Sequence, residues 1–191
     1  MNDKADGRSR SSSALWLGSA LLLMLGVAVW GALAFRAPAG GERDGGASAA
    51  PGGVGGAMPQ VALSALDGRP FDSTRLAGRV VLYDFWATWC GPCHLQADVL
   101  KAIYPEARAR GAEFVGVATG EPIDVVREFL GRRPLPYPVA LDPEGRLEGQ
   151  LAIYGLPTLV VVDRSGRIAY RHTGLIDADS LRRALADAES S

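Results

Sequence analysis

From Ala14 to Phe35 the chain carries no charged side chain. A helix of that length rises about 33 Å, enough to cross a hydrocarbon core of about 30 Å. Trp16 lies near one end of the run, and Trp30 and Phe35 near the other, where interfacial aromatic rings sit. The head, residues 1–13, has no apolar period and holds Lys4, Arg8 and Arg10. The positive-inside rule keeps that head in the cytoplasm and sends everything after Phe35 to the far side. A cleaved signal peptide is the competing reading, with Ala32-Leu33-Ala34 as its A-x-A site. Signal-peptide cores run to about 7–15 apolar residues, so the length here favours an uncleaved anchor. Both readings put the remainder on the same side. Residues 36–58, rich in Gly and Ala and without a helical or strand period, are expected to be a flexible linker.

The pattern changes at Pro59, where one domain is expected to begin and run to Ser191. Val61–Leu63 reads as a weak strand before an Asp67-Gly68 turn. Arg79–Trp86 and Glu113–Ala118 are apolar runs suited to strands covered on both faces. Between them, Leu95, Val99, Ala102 and Ile103 give Cys93–Arg110 a helical period, which Pro105 should kink or end early. A short helix is expected over Ile123–Leu130, closed by Gly131. A strand follows at Val139–Leu141 and a helix at Leu147–Tyr154. Thr158–Asp163 is a third strong strand, and an Arg164-Ser165-Gly166 turn leads to a strand at Ile168–His172. Asp177 caps a last helix through Ala188. Strands alternating with helices define an α/β fold, a mixed sheet with helices on both faces.

Composition narrows the function. The 191 residues hold 20 basic and 21 acidic side chains, a net charge of −1 that excludes nucleic-acid binding by bulk charge. Cys90 and Cys93 are the two cysteines, too few for a disulfide-stapled scaffold or a four-cysteine zinc site. Neither lies near the apolar run, so a lipoprotein anchor is excluded. His94 and His172 leave little for a histidine metal centre.

Trp89-Cys90-Gly91-Pro92-Cys93 falls where a buried strand ends and a helix begins. Pro92 suits the first helical turn. Cys90 then faces the helix N-terminus, whose free N–H groups stabilise a thiolate, the nucleophilic form. Cys93 lies one turn further in, within reach of a disulfide. Three readings compete: a redox dithiol, a structural disulfide, and, with His94, the C-x-x-C-H attachment motif of a c-type haem electron carrier. A two-residue loop makes the structural disulfide weak. Haem would need a distal ligand, and no methionine follows Met58, which leaves His172 or none. The redox dithiol is the preferred reading.

Asp84-Phe85-Trp86-Ala87-Thr88-Trp89-Cys90-Gly91-Pro92-Cys93 resembles the active-site segment of thioredoxin, and Gly155-Leu156-Pro157-Thr158 resembles the cis-proline loop of that fold. The anchor, the extra helix–strand unit between the motifs, and the segments Asp163–Ile168 and Arg171–Gly174 look more like the membrane-tethered TlpA/ResA/CcmG group of thiol–disulfide oxidoreductases. That resemblance implies a thioredoxin-like fold with Cys90 as attacking thiol and Cys93 as resolving thiol. It implies that Pro157 is cis and faces the disulfide, and that the Leu156 backbone pairs with an extended client strand. Trp89, Gly91 and Pro92 would share the client surface. Asp84 would be a buried carboxylate beneath Cys93, its pKa raised by burial, and would take the Cys93 proton through water. The sequence departs from the group at Gln96, where reductive relatives often have Glu, and at Asp98, where the fold usually has Pro. His94 is expected to face solvent and His172 to lie on a strand surface.

The implied function is disulfide reduction at the bacterial inner membrane, with the domain facing the periplasm. Gly-Pro between the cysteines is thioredoxin's pair, and thioredoxin's potential of ~−270 mV contrasts with ~−120 mV for the oxidant DsbA. The implied partners are disulfide-containing clients such as apocytochrome c and a membrane thiol reductant of the CcdA/DsbD type; no cofactor is implied. The alternative within the class is a disulfide oxidase or isomerase using the same site.

Overall fold

The computed structural model describes residues 52–191. The expected head and membrane helix, and the linker as far as residue 51, lie outside the described residues. Among the described residues no helix is long and apolar enough to cross a membrane.

Six strands form one sheet: β1 (Ser64–Ala65), β2 (Val81–Trp86), β3 (Glu113–Thr119), β4 (Val139–Asp142), β5 (Thr158–Val162) and β6 (Ile168–Thr173). Their order is β1-β4-β3-β2-β5-β6. The β4–β3 and β3–β2 pairs are parallel; β1–β4, β2–β5 and β5–β6 are antiparallel. Four α-helices join them: α1 (Gly91–Ala109), α2 (Ile123–Arg132), α3 (Arg146–Gln150) and α4 (Ala178–Glu189). This is the thioredoxin-like arrangement of a central mixed sheet and flanking helices.

The period of two along each strand sorts the core into two layers. Leu82, Phe114, Leu159 and Val161 meet Leu100, Ile103 and Ala107 of α1 and Leu181 and Leu185 of α4. Val81, Phe85, Val115, Val117 and Val160 point the other way, onto Leu147 of α3, Leu151 and Met58. A third cluster, at the end of the sheet where β2 stops, joins Trp86, Ala118, Val139 and Leu141 to Val126 of α2 and to both cysteines.

Local boundaries differ from the sequence reading in informative ways. The first strand is Ser64–Ala65 rather than Val61–Leu63; Leu63 is buried instead in the core beside Met58. Part of the expected linker is paired with the domain. Gly55 N–H donates to Ile168 O at 2.7 Å, Ile168 N–H to Gly56 O at 2.8 Å, and Met58 N–H to Gly166 O at 2.9 Å. Backbone pairing of this kind needs no side-chain pattern, so Gly-rich composition conceals it. Pro105 stands inside α1, which runs on to Ala109. Ile103, Tyr104 and Ala107 on either side of it are buried and hold the helix to the sheet. Gly131 lies within α2 and does not close it.

The helix expected over Leu147–Tyr154 stops at Gln150. Ala152 takes a left-handed φ of 48°. Ile153 N–H donates to Glu148 O and Ala152 N–H to Gly149 O, each at 3.0 Å, which is a Schellman ending. Glycine ordinarily signals such an ending; alanine here hides it. Arg171 of β6 fixes the turn by donating to Leu151 O at 2.5 Å and Ala152 O at 2.7 Å. Ala152→Gly relieves the left-handed conformation and should raise stability by up to about 1 kcal/mol, read as a higher denaturant midpoint.

Candidate active site

The site is built where β2 ends. Cys90 N–H donates to Ala87 O at 3.1 Å, closing a turn that delivers the chain to α1. Cys90 is the N-cap of α1, in extended conformation, and its Sγ accepts from Cys93 N–H at 3.2 Å. Pro92 occupies the first turn, where no N–H is missed. Cys90 and Cys93 are joined as a disulfide, with Cα atoms 5.3 Å apart. Both are buried, Cys90 at 4% exposure and Cys93 at 2%. Exposure therefore does not separate the two sulfurs. What lies behind each one does: the helix N-terminus behind Cys90, and a small cavity shared with Asp84 behind Cys93.

That cavity, about 20 Å³, is lined by Cys93, Asp84, Trp86, Phe129 and Leu135 among others. It has room for one water molecule. Asp84 sits in the apolar row of β2 between Leu82 and Trp86 and is 1% exposed. Burial pushes its carboxyl up from 3.8 to about 7, and the Tyr137 hydroxyl facing it tempers the rise. Tyr137 is itself driven well above its ordinary value, by burial first and by the Asp84 charge second. The two make no close hydrogen bond: Asp84 Oδ1 and Tyr137 Oη both lack a partner, as does Trp86 Nε1. A buried acid poised near neutrality beside a water-sized cavity is able to exchange a proton with the sulfur that shares it.

The cis-proline loop approaches from the other side. Leu156-Pro157 is cis. Thr158 pairs with Phe85 across the β2–β5 ladder, which sets Pro157 beside the end of β2. Gly174 N–H donates to Pro157 O at 2.8 Å, and Thr158 Oγ1 donates to Gly155 O at 2.7 Å. Leu156 packs against the cluster that holds both cysteines. Around this centre Trp89 is 72% exposed and Gly91 and Pro92 are also exposed. Trp86 is a core residue, its ring 5.6 Å from Phe129.

The two histidines behave differently from each other. His172 lies on β6, stacked on Tyr170, as its strand position implies. His94, expected to face solvent, is half-buried. Its ring stacks on Phe129 at 5.0 Å, and Nε2 donates to Thr88 O at 2.9 Å. With the sulfurs joined to each other and His94 engaged in this way, Cys90-x-x-Cys93-His94 is arranged as a redox disulfide rather than as a haem anchor. At the departures from the family pattern, Gln96 is wholly buried and accepts from Ile176 N–H at 2.9 Å, while Asp98 is exposed.

Sequence reasoning missed Tyr137, which lies in the Pro134–Pro138 loop, and Glu121, which bonds Thr88. Both stand on loops remote in sequence from the cysteines, and only tertiary packing brings them to the site.

A thioredoxin-like α/β domain with a Cys-x-x-Cys disulfide at this strand–helix junction is a thiol–disulfide oxidoreductase. Residues 53–188 match the Redoxin model, and the chain belongs to the Redoxin family. ResA, a thiol–disulfide oxidoreductase of Geobacillus thermodenitrificans, is 30% identical over 132 residues, 69% of this chain and 76% of its own. A thioredoxin-family thiol:disulfide interchange protein of Chlorobium tepidum is 28% identical with a TM-score of 0.61, over 69% of this chain and 94% of its own. A secreted Mycobacterium tuberculosis disulfide oxidoreductase homologous to DsbE is 25% identical, with a TM-score of 0.57, over 66% of this chain and 95% of its own.

Proposed function

We propose that the chain is a membrane-tethered reductase of protein disulfides that works outside the cytoplasm. The Cys90 thiolate attacks one sulfur of a client disulfide, and the client's other sulfur leaves as a thiolate. Cys93 gives its proton to Asp84 through one water and attacks Cys90 Sγ. That step breaks the mixed disulfide, frees the second client thiol and leaves Cys90–Cys93 oxidised. The Leu156 backbone beside Pro157 holds the client as an added strand, and Trp89, Gly91 and Pro92 complete the contact. A membrane thiol reductant of the CcdA/DsbD type returns two electrons to the pair.

The observation that carries this reading is that Asp84 and Cys93 line one water-sized cavity, while Cys90 caps the helix. The cycle then has a nucleophile, a resolving thiol and a base in separate places. The uncharged 14–35 run supports the tether, and the ResA and DsbE relatives support thiol–disulfide exchange.

Apocytochrome c is the proposed client. Cells lacking the protein should lose covalent-haem staining of c-type cytochromes, and a small dithiol added outside the cells should restore it. Undiminished staining would remove apocytochrome c as client. Loss without rescue by the dithiol would point to the oxidase or isomerase direction instead.

A further inference from the structure

Thr88 stands one residue before Trp89, inside the turn that delivers Cys90. Its three polar groups are all held. Thr88 N–H donates to Glu121 Oε2 at 2.6 Å and Thr88 Oγ1 donates to Glu121 Oε1 at 2.5 Å. Thr88 O accepts from His94 Nε2 at 2.9 Å. Glu121 comes from the loop that leaves β3 and is 6% exposed. A carboxylate is costly to bury unless both oxygens are hydrogen-bonded, and here one residue supplies both donors. His94 reaches the carbonyl on the other side of the same residue from the first turn of α1, with Phe129 of α2 stacked behind its ring. The β3 exit loop and the active-site helix thus hold the two successive peptides that flank Thr88. The next elements of the chain are the exposed Trp89 and the capping Cys90, whose Sγ must meet Cys93 N–H.

We propose that Glu121 is a positioning residue for thiol chemistry: by fixing both donors of Thr88 it holds the Ala87–Cys90 turn, so that the Cys90 sulfur stays aimed at the N–H groups of α1. The inference deepens the proposed reductase site and adds a member to it. Glu121 touches no reacting atom; it acts through Thr88. Without it the turn relaxes, Cys90 drifts from Cys93 N–H, and its thiolate loses part of its stabilisation.

The test is the pH dependence of Cys90 alkylation by iodoacetamide in the reduced full-length protein. It needs no client and no electron donor, so its outcome is independent of whether disulfide reduction is the right function. Glu121→Ala should move the midpoint to higher pH and slow alkylation at neutral pH by about tenfold. Glu121→Gln keeps one acceptor for the two Thr88 donors and should fall between the parent and Glu121→Ala. Thr88→Val keeps the N–H bond to Glu121 and loses only the hydroxyl bond, so it provides a milder second variant should Glu121→Ala fold poorly; its midpoint should also rise. An unchanged midpoint with a lower melting temperature would make Glu121 a merely structural residue and overturn the proposal. A midpoint that falls equally in Glu121→Ala and Glu121→Gln would also overturn it, since the carboxylate would then act only by its charge.

Discussion

Asp84→Asn is expected to slow the release of client from the Cys90 mixed disulfide by about 10²–10⁴-fold, the usual size of general-base assistance. Formation of that intermediate should stay near its normal rate, because Cys90 is activated by the α1 N-terminus and not by Asp84. The pH profile carries the signature. With the carboxyl pushed up to about 7, Asp84 is protonated at lower pH and accepts nothing from Cys93. Resolution in the parent protein should therefore accelerate as pH rises through about 7, and the Asn variant should lose that inflection. Stability runs in the opposite direction. Between 3.8 and about 7 the folded protein keeps a proton on Asp84 that the unfolded chain gives up, so folding stability declines as pH rises across that window. At neutral pH the burden amounts to at most about 4 kcal/mol. Asp84→Asn should remove the decline and be the more stable protein above that window, as read from denaturant midpoints across pH. Stopped-flow detection of the mixed disulfide gives both rates. Unchanged resolution would leave Asp84 a structural residue.

The strands that build the sheet were legible because Arg79–Trp86, Glu113–Ala118 and Thr158–Asp163 are apolar runs covered on both faces, with little room for another reading. The cysteine pair was legible because its proline and its strand–helix setting favour the redox dithiol among the readings its spacing allows. Asp84 was legible through its place in the segment that resembles the thioredoxin active site. Elements whose cause is tertiary were not legible. Residues 52–58 join the domain through backbone bonds that composition does not advertise. The end of α3 depends on Ala152 in a left-handed conformation, held by an arginine on a strand nineteen residues away. Helix α1 passes Pro105 because packing on both sides outweighs one missing N–H. Tyr137 and Glu121 joined the site by approach through space, and their own neighbours in sequence give no sign of it; His94 was visible beside Cys93, but not its contacts with Phe129 and Thr88.

Trapping separates the two sulfurs most directly. Cys93→Ala removes the thiol that resolves the mixed disulfide, so the Cys90–client bond should accumulate and run as a thiol-sensitive adduct on a non-reducing gel. Cys90→Ala removes the nucleophile. Cys93 is left inside the first turn of α1 and not at its cap, with a raised carboxyl lining the cavity beside it. The difference between the variants should be close to all-or-none, because thiol–disulfide exchange needs a thiolate with access to the client sulfur. The measurement is the yield of adduct, after acid quench and alkylation, from full-length Cys93→Ala and Cys90→Ala presented with the same oxidised client. Abundant adduct is expected with Cys93→Ala and almost none with Cys90→Ala. Equal yields, or adduct mainly with Cys90→Ala, would contradict Cys90 as the attacking thiol and Cys93 as the resolving one.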